Sequence, residues 1–174
     1  MGADGSPIIW RMPQRWKPNV TVAAVIERQG RFLLVEEHTA EGLRLNTPAG
    51  HLDPGESLPA ACRREVLEET AYDFEPTALV GIYLHRTAPD APQDITYLRF
   101  CFCGTLGAHH AAQPLDQGIV RALWLSPQEI RASRALHRSA LVLQSIDDYL
   151  AGQRGALDLL HAHVHHHHLE GGGQ

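Results

Sequence analysis

Cysteine is scarce in this chain: Cys62, Cys101 and Cys103 are an odd set without zinc-site spacing. That excludes a full disulfide framework and a structural zinc, and predicts buried thiols in a reducing compartment. Long apolar runs are also missing. Nothing approaches the ~18 residues of a membrane span, and the opening MGADGSPIIWRMPQRWKP has no signal-peptide h-region. Excess positive charge is missing too. A net charge of −5 speaks against binding nucleic-acid polymers or membrane surfaces, yet leaves room for a nucleotide whose phosphates are met locally by metal and arginine. Cytoplasmic location is the expectation. What is present fits one domain: 174 residues, 44% hydrophobic and 20% charged, can bury a core without staples.

The stretch Asn46–Tyr72, NTPAGHLDPGESLPAACRREVLEETAY, organises the rest. It begins with loop chemistry at Pro48, Gly50, Pro54 and Gly55, then passes through Ser57 into a helix ending near Ala71. Ser57 can accept from an orphan N–H of the first turn, and Pro59 sits where no intrahelical N–H is required. Leu58, Ala61, Cys62 and Val66 recur at helical spacing and are expected to face a core. Glu65, Glu68 and Glu69 stand at i, i+3 and i+4, within an arc of about 100°. Like charges at this spacing destabilise a helix by roughly 0.2–0.5 kcal/mol per pair. The last two also lie at the wrong end of the macrodipole. Such a breach of local rules points to function, and a hard divalent cation would relieve it, magnesium in particular. The competing explanation is a solvated face laced by Arg63 and Arg64, with Arg64–Glu68 as an i, i+4 pair.

Around this stretch, residues 1–17 read as an extension, 18–155 as the domain and 156–174 as a His-rich tail without fixed structure. The basic, aromatic extension (Trp10, Arg11, Arg15, Trp16, Lys17) is denied a helix by Pro13 and Pro18. Val20–Arg28 is rich in β-branched residues and predicts a strand. It turns at Gln29-Gly30 into a second strand over Arg31–His38, as a hairpin. Leu43–Thr47 reads as a short strand, Thr77–Arg86 as another, and Thr87–Asp94 as an exposed loop. Ile95–Leu106 alternates, with Arg99 on an otherwise apolar face. There Arg99 either meets substrate phosphate through its planar fork or forms a structural ion pair. Gly107–Gly118 reads as a loop and Ile119–Leu125 as the last strand. Ser126-Pro127-Gln128-Glu129 opens a helix with a capping box, and Ser139–Leu150 forms a further helix. His51, His85, Tyr97 and Arg99 are expected substrate contacts.

Gly50, Glu56, Arg64-Glu65-Val66 and Glu68-Glu69 stand in a fixed frame that closely resembles the signature box of the Nudix hydrolases, which cleave diphosphate linkages to another moiety. The resemblance spans roughly Lys17–Gly155. It departs where the family usually has glycine near the end of the box, at Ala71, and where an aliphatic residue follows, at Tyr72. A left-handed Ala71 would cost roughly 1 kcal/mol more than glycine. The resemblance implies an α+β protein with the Nudix fold, an α/β/α sandwich with a mixed β-sheet. It implies Mg2+ or Mn2+ held by Glu65, Glu68, Glu69 and the carbonyl near Gly50, with Glu56 supporting the cluster. Glu65 or Glu69 would be the general base, and Arg64 would orient Glu65. Family members often carry an extra carboxylate before the last strand, and Asp116 is the candidate here. KPNVTVAAVI, PAGHL, APD…LRF and RSALV…SI…Y…GQR resemble the small NudJ-type phosphatases within the family. That likeness implies a small-molecule substrate: a nucleoside di- or triphosphate, or the hydroxymethylpyrimidine diphosphate that precedes thiamin. Both monomer and homodimer are compatible with it. The alternative is a non-catalytic Nudix-fold module that senses a nucleotide or docks a partner.

Overall fold

The β-branched run after Pro18 forms strand β1 (Asn19–Val25), which stops short of the expected Arg28. The chain changes sheets at Ile26, whose carbonyl accepts from the Leu33 N–H at 2.9 Å, and resumes as the short β2 (Glu27–Arg28). Gln29 and Gly30 take φ of 54° and 76°, the left-handed pair that a two-residue hairpin turn needs. Strand β3 (Arg31–Thr39) returns beside β2. The expected hairpin is therefore confined to β2 and β3, because β1 pairs with other partners. This computed structural model describes residues 15–87 and 94–163. The expectations for residues 1–14, for most of the loop after Thr87 and for the tail beyond residue 163 lie outside the described residues.

Strand β4 (Gly42–Asn46) pairs with β3. Ala49–His51, expected as loop, forms strand β5 against the edge of β1. Helix α1 (Leu58–Thr70) follows, with Ser57 Oγ accepting from the Ala60 N–H at 3.3 Å and Pro59 in its first turn. Ala71 ends the helix at φ 57°, left-handed as the family pattern required.

Two further expectations need correction. Strand β6 begins directly at Tyr72 and runs to Arg86, while β7 covers Thr96–His109, so Gly107–His109 are strand rather than loop. The extra length arises because Tyr72 and Phe74 pair with His109 and Leu106. Pro76 is tolerated inside β6 because the register shifts there, leaving a position that needs no donor. Strand β8 (Ile119–Leu125), helix α2 (Pro127–Ala132) and helix α3 (Leu141–Leu150) complete the order. Order also runs past the expected end at residue 155. Gly155 exchanges backbone hydrogen bonds with Leu79 at 2.7 and 2.9 Å, and Leu157 and Leu160 pack against the core.

The strands form two four-stranded sheets. The first, ordered β5-β1-β7-β6, is mixed, since β1 and β7 run parallel and its other pairs are antiparallel. In the second, β3 pairs antiparallel with β2, β4 and β8. Strand alternation divides the core. Val22, Ala24 and Phe102 of the mixed sheet meet Ala61, Cys62 and Val66 of α1 on one face. Ala23, Val25, Cys101 and Cys103 meet Leu141, Val142 and Ile146 of α3 on the other. That is the expected α/β/α arrangement. All three cysteines are buried and free.

Candidate active site

Helix α1 presents two neighbouring faces. Cys62 and Val66 anchor it on the mixed sheet, and this rotates Glu65 and Glu69 towards the strand edge at β5. Glu65 and Glu69 are only 9% and 8% exposed. The Glu69 carboxylate accepts from the Ala49 N–H at 2.9 Å. Gly50 lies against Glu65 so closely that a Cβ there would sit 2.0 Å from its carboxyl carbon. Glycine is therefore a steric requirement of this approach, independent of φ.

Arg64 joins the loop to the helix. Its Nε and Nη2 donate to Glu56 at 3.2 and 2.7 Å, and Nη1 donates to Glu65 at 2.7 Å and Glu68 at 3.1 Å. Nη2 also donates to the His51 carbonyl at 2.9 Å. Glu56 accepts in turn from the Asp53 N–H at 2.8 Å. The Arg64 guanidinium holds the Glu56 carboxyl below the ordinary carboxylate range. Arg63, one residue earlier, points away and pairs with Glu75. The Arg64–Glu68 pair of the competing explanation is thus present, but as one spoke of a wider network.

Burial pushes the Glu65 carboxyl up against the opposing pull of Arg64, with Glu68 and Asp116 adding like charge. Burial also pushes Glu69 up to about 8, opposed by the Ala49 N–H and reinforced by Glu65, Glu37 and Asp116. Asp116 is therefore brought to the cluster. Its N–H donates to the Glu68 carbonyl at 2.9 Å, and Gln113 Nε2 donates to the Leu67 carbonyl at 3.0 Å, so the loop before β8 is fastened to the end of α1.

The four expected substrate contacts lie together at one end of the mixed sheet. Thr21 is opposite both His51 and Arg99, and His85 is opposite Tyr97. The His51 and Tyr97 rings are 6.3 Å apart. By alternation these side chains share the α3-side face, while Gly50 faces α1, so β5 is the border between the two groups. No ion pair of Arg99 occurs among the described residues, and its buried Nε has no partner. Burial and the nearby Arg99 charge hold the His85 imidazole below its ordinary value. Sequence reasoning missed Glu37, whose charge acts on both Glu69 and Arg99. No sequence signal separated it from its neighbour: Glu36 and Glu37 together close an apolar strand, with side chains 19% and 18% exposed.

Among the described residues, no three acidic, histidine or cysteine side chains stand as a preformed metal cage, because Arg64 lies between Glu65 and Glu68. The donor chemistry nonetheless fits a hard cation. Glu65, Glu68, Glu69 and Asp116 offer only oxygen, and burial disfavours charge on Glu65 and Glu69 until a cation offsets it. Glu68, paired with Arg64 at 3.1 Å, is the most exposed of the three helix carboxylates, with 42% of its side chain exposed.

The NUDIX domain family matches residues 15–145. The chain belongs to the Nudix family. It is 41% identical over 146 residues to the Phosphatase NudJ of Escherichia coli K12, covering 83% of this chain and 92% of that protein. A solved NUDIX hydrolase from Nitrosomonas europaea superposes with a TM-score of 0.81 at 53% identity, over 84% of this chain and 98% of that one. The MutT NUDIX hydrolase of Burkholderia pseudomallei, 19% identical with a TM-score of 0.62 over 76% of this chain and 98% of its own, shares the fold. The present chain is a Nudix hydrolase, an enzyme acting on phosphorus-containing anhydrides. Nudix hydrolases generally use divalent metal ions and act on small-molecule nucleotide substrates. Among the described residues no helix is long and apolar enough to cross a membrane.

Proposed function

We propose that the enzyme hydrolyses a phosphoanhydride bond of a nucleoside di- or triphosphate, or of hydroxymethylpyrimidine diphosphate, with water as nucleophile and Mg2+ or Mn2+ as cofactor. The observation that carries this reading is the juxtaposition of buried Glu69 and Glu65 with an edge strand that tolerates only glycine at position 50. The likeness to the Phosphatase NudJ of E. coli supports the substrate class.

Glu65, Glu68, Glu69 and the Gly50 carbonyl would hold the metal, with Asp116 beside them. A divalent cation bound there supplies positive charge for the phosphate oxygens and lowers the pKa of bound water. Arg64 fixes the Glu65 carboxylate through a charge-assisted bond, and Glu56 fixes Arg64. Glu69, oriented by the Ala49 N–H, and Glu65 are the two candidate bases for the attacking water. Arg99 offers an unpaired guanidinium donor to the anionic end of the substrate, with His51, His85 and Tyr97 around it.

The test is release of phosphate and pyrophosphate from nucleoside di- and triphosphates, hydroxymethylpyrimidine diphosphate, ADP-ribose and dinucleoside polyphosphates, with and without magnesium. Metal-dependent release that Glu69→Gln abolishes is the expected result. Silence across the panel from folded protein would overturn it and favour a nucleotide sensor.

A further inference from the structure

The last carbonyls of a helix run out of intrahelical donors. At the end of α1 the loop between β7 and β8, residues 110–118, supplies them. The Leu67 carbonyl takes the Ala71 N–H at 2.9 Å and, on its second lone pair, Gln113 Nε2 at 3.0 Å. The Glu68 carbonyl takes the Asp116 N–H at 2.9 Å. Just past the helix, the Ala71 carbonyl takes the His110 N–H at 2.8 Å. Within the loop, the Gln113 N–H donates to the His110 carbonyl at 2.8 Å, and the Gln117 N–H donates to Asp116 Oδ1 at 2.8 Å. The loop is thus built onto the turn that carries Glu68 and Glu69.

This docking runs against electrostatics. The C-terminal end of a helix carries partial negative charge, and the three glutamates add to it. Asp116 brings a further carboxylate, whose charge acts on both Glu65 and Glu69. Burial does little to hold the loop in place. Ala111, Ala112, Pro114 and Asp116 are exposed, and Gln113 and Leu115 are only half-buried. The ties of His110 and Asp116 to the end of α1 are made by the main chain, whatever side chains stand there. Among the described residues, Gln113 alone ties the loop to α1 through a side chain.

We propose that Gln113 is a positioning residue: its amide, donating to the Leu67 carbonyl, holds Asp116 at the acidic cluster against like-charge repulsion and so raises the affinity for a divalent cation. This rests on the reading of the cluster as the metal site. A neutral amide suits the task. It supplies a donor to the helix end without setting a positive charge beside the cation, as lysine or arginine would. Without it the backbone ties alone would oppose the repulsion, and the Asp116 carboxylate would spend more of its time away from the site.

Titration of the substrate-free protein with Mn2+, followed by the free ion's electron paramagnetic resonance signal, reads this without turnover. Gln113→Met keeps the length and neutrality of the side chain and removes the donor. It is expected to weaken Mn2+ binding about tenfold, as loss of a group that orients metal ligands does. Asp116→Asn should weaken it at least as much. Adding Gln113→Met to Asp116→Asn should then change the affinity by less than about twofold, because the tie has no carboxylate left to position. Wild-type affinity in Gln113→Met overturns the proposal. So does a tenfold loss repeated in the Asp116→Asn background, which would mean that Gln113 acts on the helix end itself. Wild-type protein that binds no Mn2+ overturns this inference together with the metal-site reading. Binding that Glu69→Gln weakens and Gln113→Met leaves unchanged overturns this inference alone.

Discussion

Arg63 and Arg64 are consecutive residues of one helix, and their surroundings differ in every respect that matters to function. Arg63 makes two short bonds to a single exposed carboxylate, Glu75, at 2.7 Å each. Arg64 divides its donors among Glu56, Glu65, Glu68 and the His51 carbonyl, with less of its side chain exposed, 29% against 45%. The outer pair has better geometry than most of the inner contacts. Yet it can fray without consequence, because water replaces either partner. Around Arg64 no such replacement is possible, since losing the guanidinium leaves buried carboxylates facing each other. Bond length alone is therefore a poor guide to which arginine the enzyme needs.

The strongest way to break this comparison is to remove the carboxylates themselves. Glu69→Gln and Glu65→Gln are each expected to lower turnover by at least about 10²-fold, measured as phosphate release at saturating substrate. Near wild-type rates in both would mean that the burial at this helix face has no catalytic purpose. The arginines come next. Arg64→Ala should reduce activity roughly 10–100-fold, as loss of a residue that orients metal-site carboxylates does. Arg64→Lys should recover little of it, because an ammonium cannot span Glu56 and Glu65 as a planar fork does. Arg63→Ala should leave both turnover and melting temperature unchanged within measurement scatter. Equal losses at the two arginines would show that helix charge, rather than the network, is what matters.

A smaller effect separates the two regions by pH. In metal-free protein Glu69 is pushed up to about 8, above its ordinary value of 4.5, and Glu65 is shifted in the same direction. The folded state then retains protons that the unfolded chain has released. This contribution to stability is complete below the ordinary carboxylate range and is lost as pH rises through about 8. With chelator present, the melting temperature should fall between about pH 5 and about pH 8.5, and less steeply for Glu69→Gln. Magnesium should restore the wild type at the upper end more than the variant. Identical slopes for the two proteins would remove Glu69 as the source. Glu75 is shifted the opposite way by Arg63, so removing it cannot mimic this result.

The sequence disclosed the acidic helix almost completely, because helical periodicity and caps are local. Ser57, Pro59 and the spacing of Glu65, Glu68 and Glu69 all express themselves within a few turns. It disclosed the sheets less well. Nothing around Ile26 marks a change of sheet, since that depends on where Leu33 finds its carbonyl partner. The early start of β6 was hidden because Pro76 argues against a strand unless a register shift accommodates it. Glu37 was illegible as a site residue for a similar reason. A polar residue ending a strand is usually solvated, and only the tertiary fold brings its charge to Glu69 and Arg99. Asp116 was half-legible: the carboxylate could be named, but its proximity depends on a loop fastened to the end of α1.

The last prediction concerns the end of α1, where the chain departs from its family. Ala71 holds φ 57°, which costs an L-residue roughly 1–2 kcal/mol relative to glycine. Ala71→Gly would relieve that strain, but two opposing effects follow. Glycine loosens the unfolded chain at a cost of about 0.4–1 kcal/mol. It also removes a methyl group from a residue only 3% exposed, worth about 0.8 kcal/mol. The backbone contacts are indifferent to the change: the Ala71 N–H donates to the Leu67 carbonyl at 2.9 Å, and its own carbonyl accepts from the His110 N–H at 2.8 Å. The effects nearly cancel, so the variant should be within about 0.5 kcal/mol of wild type, a melting shift of about 2 °C or less. A much larger rise would show that strain dominates and that the alanine is a defect the protein tolerates. A neutral result means that burial of one methyl group holds a left-handed cap without glycine.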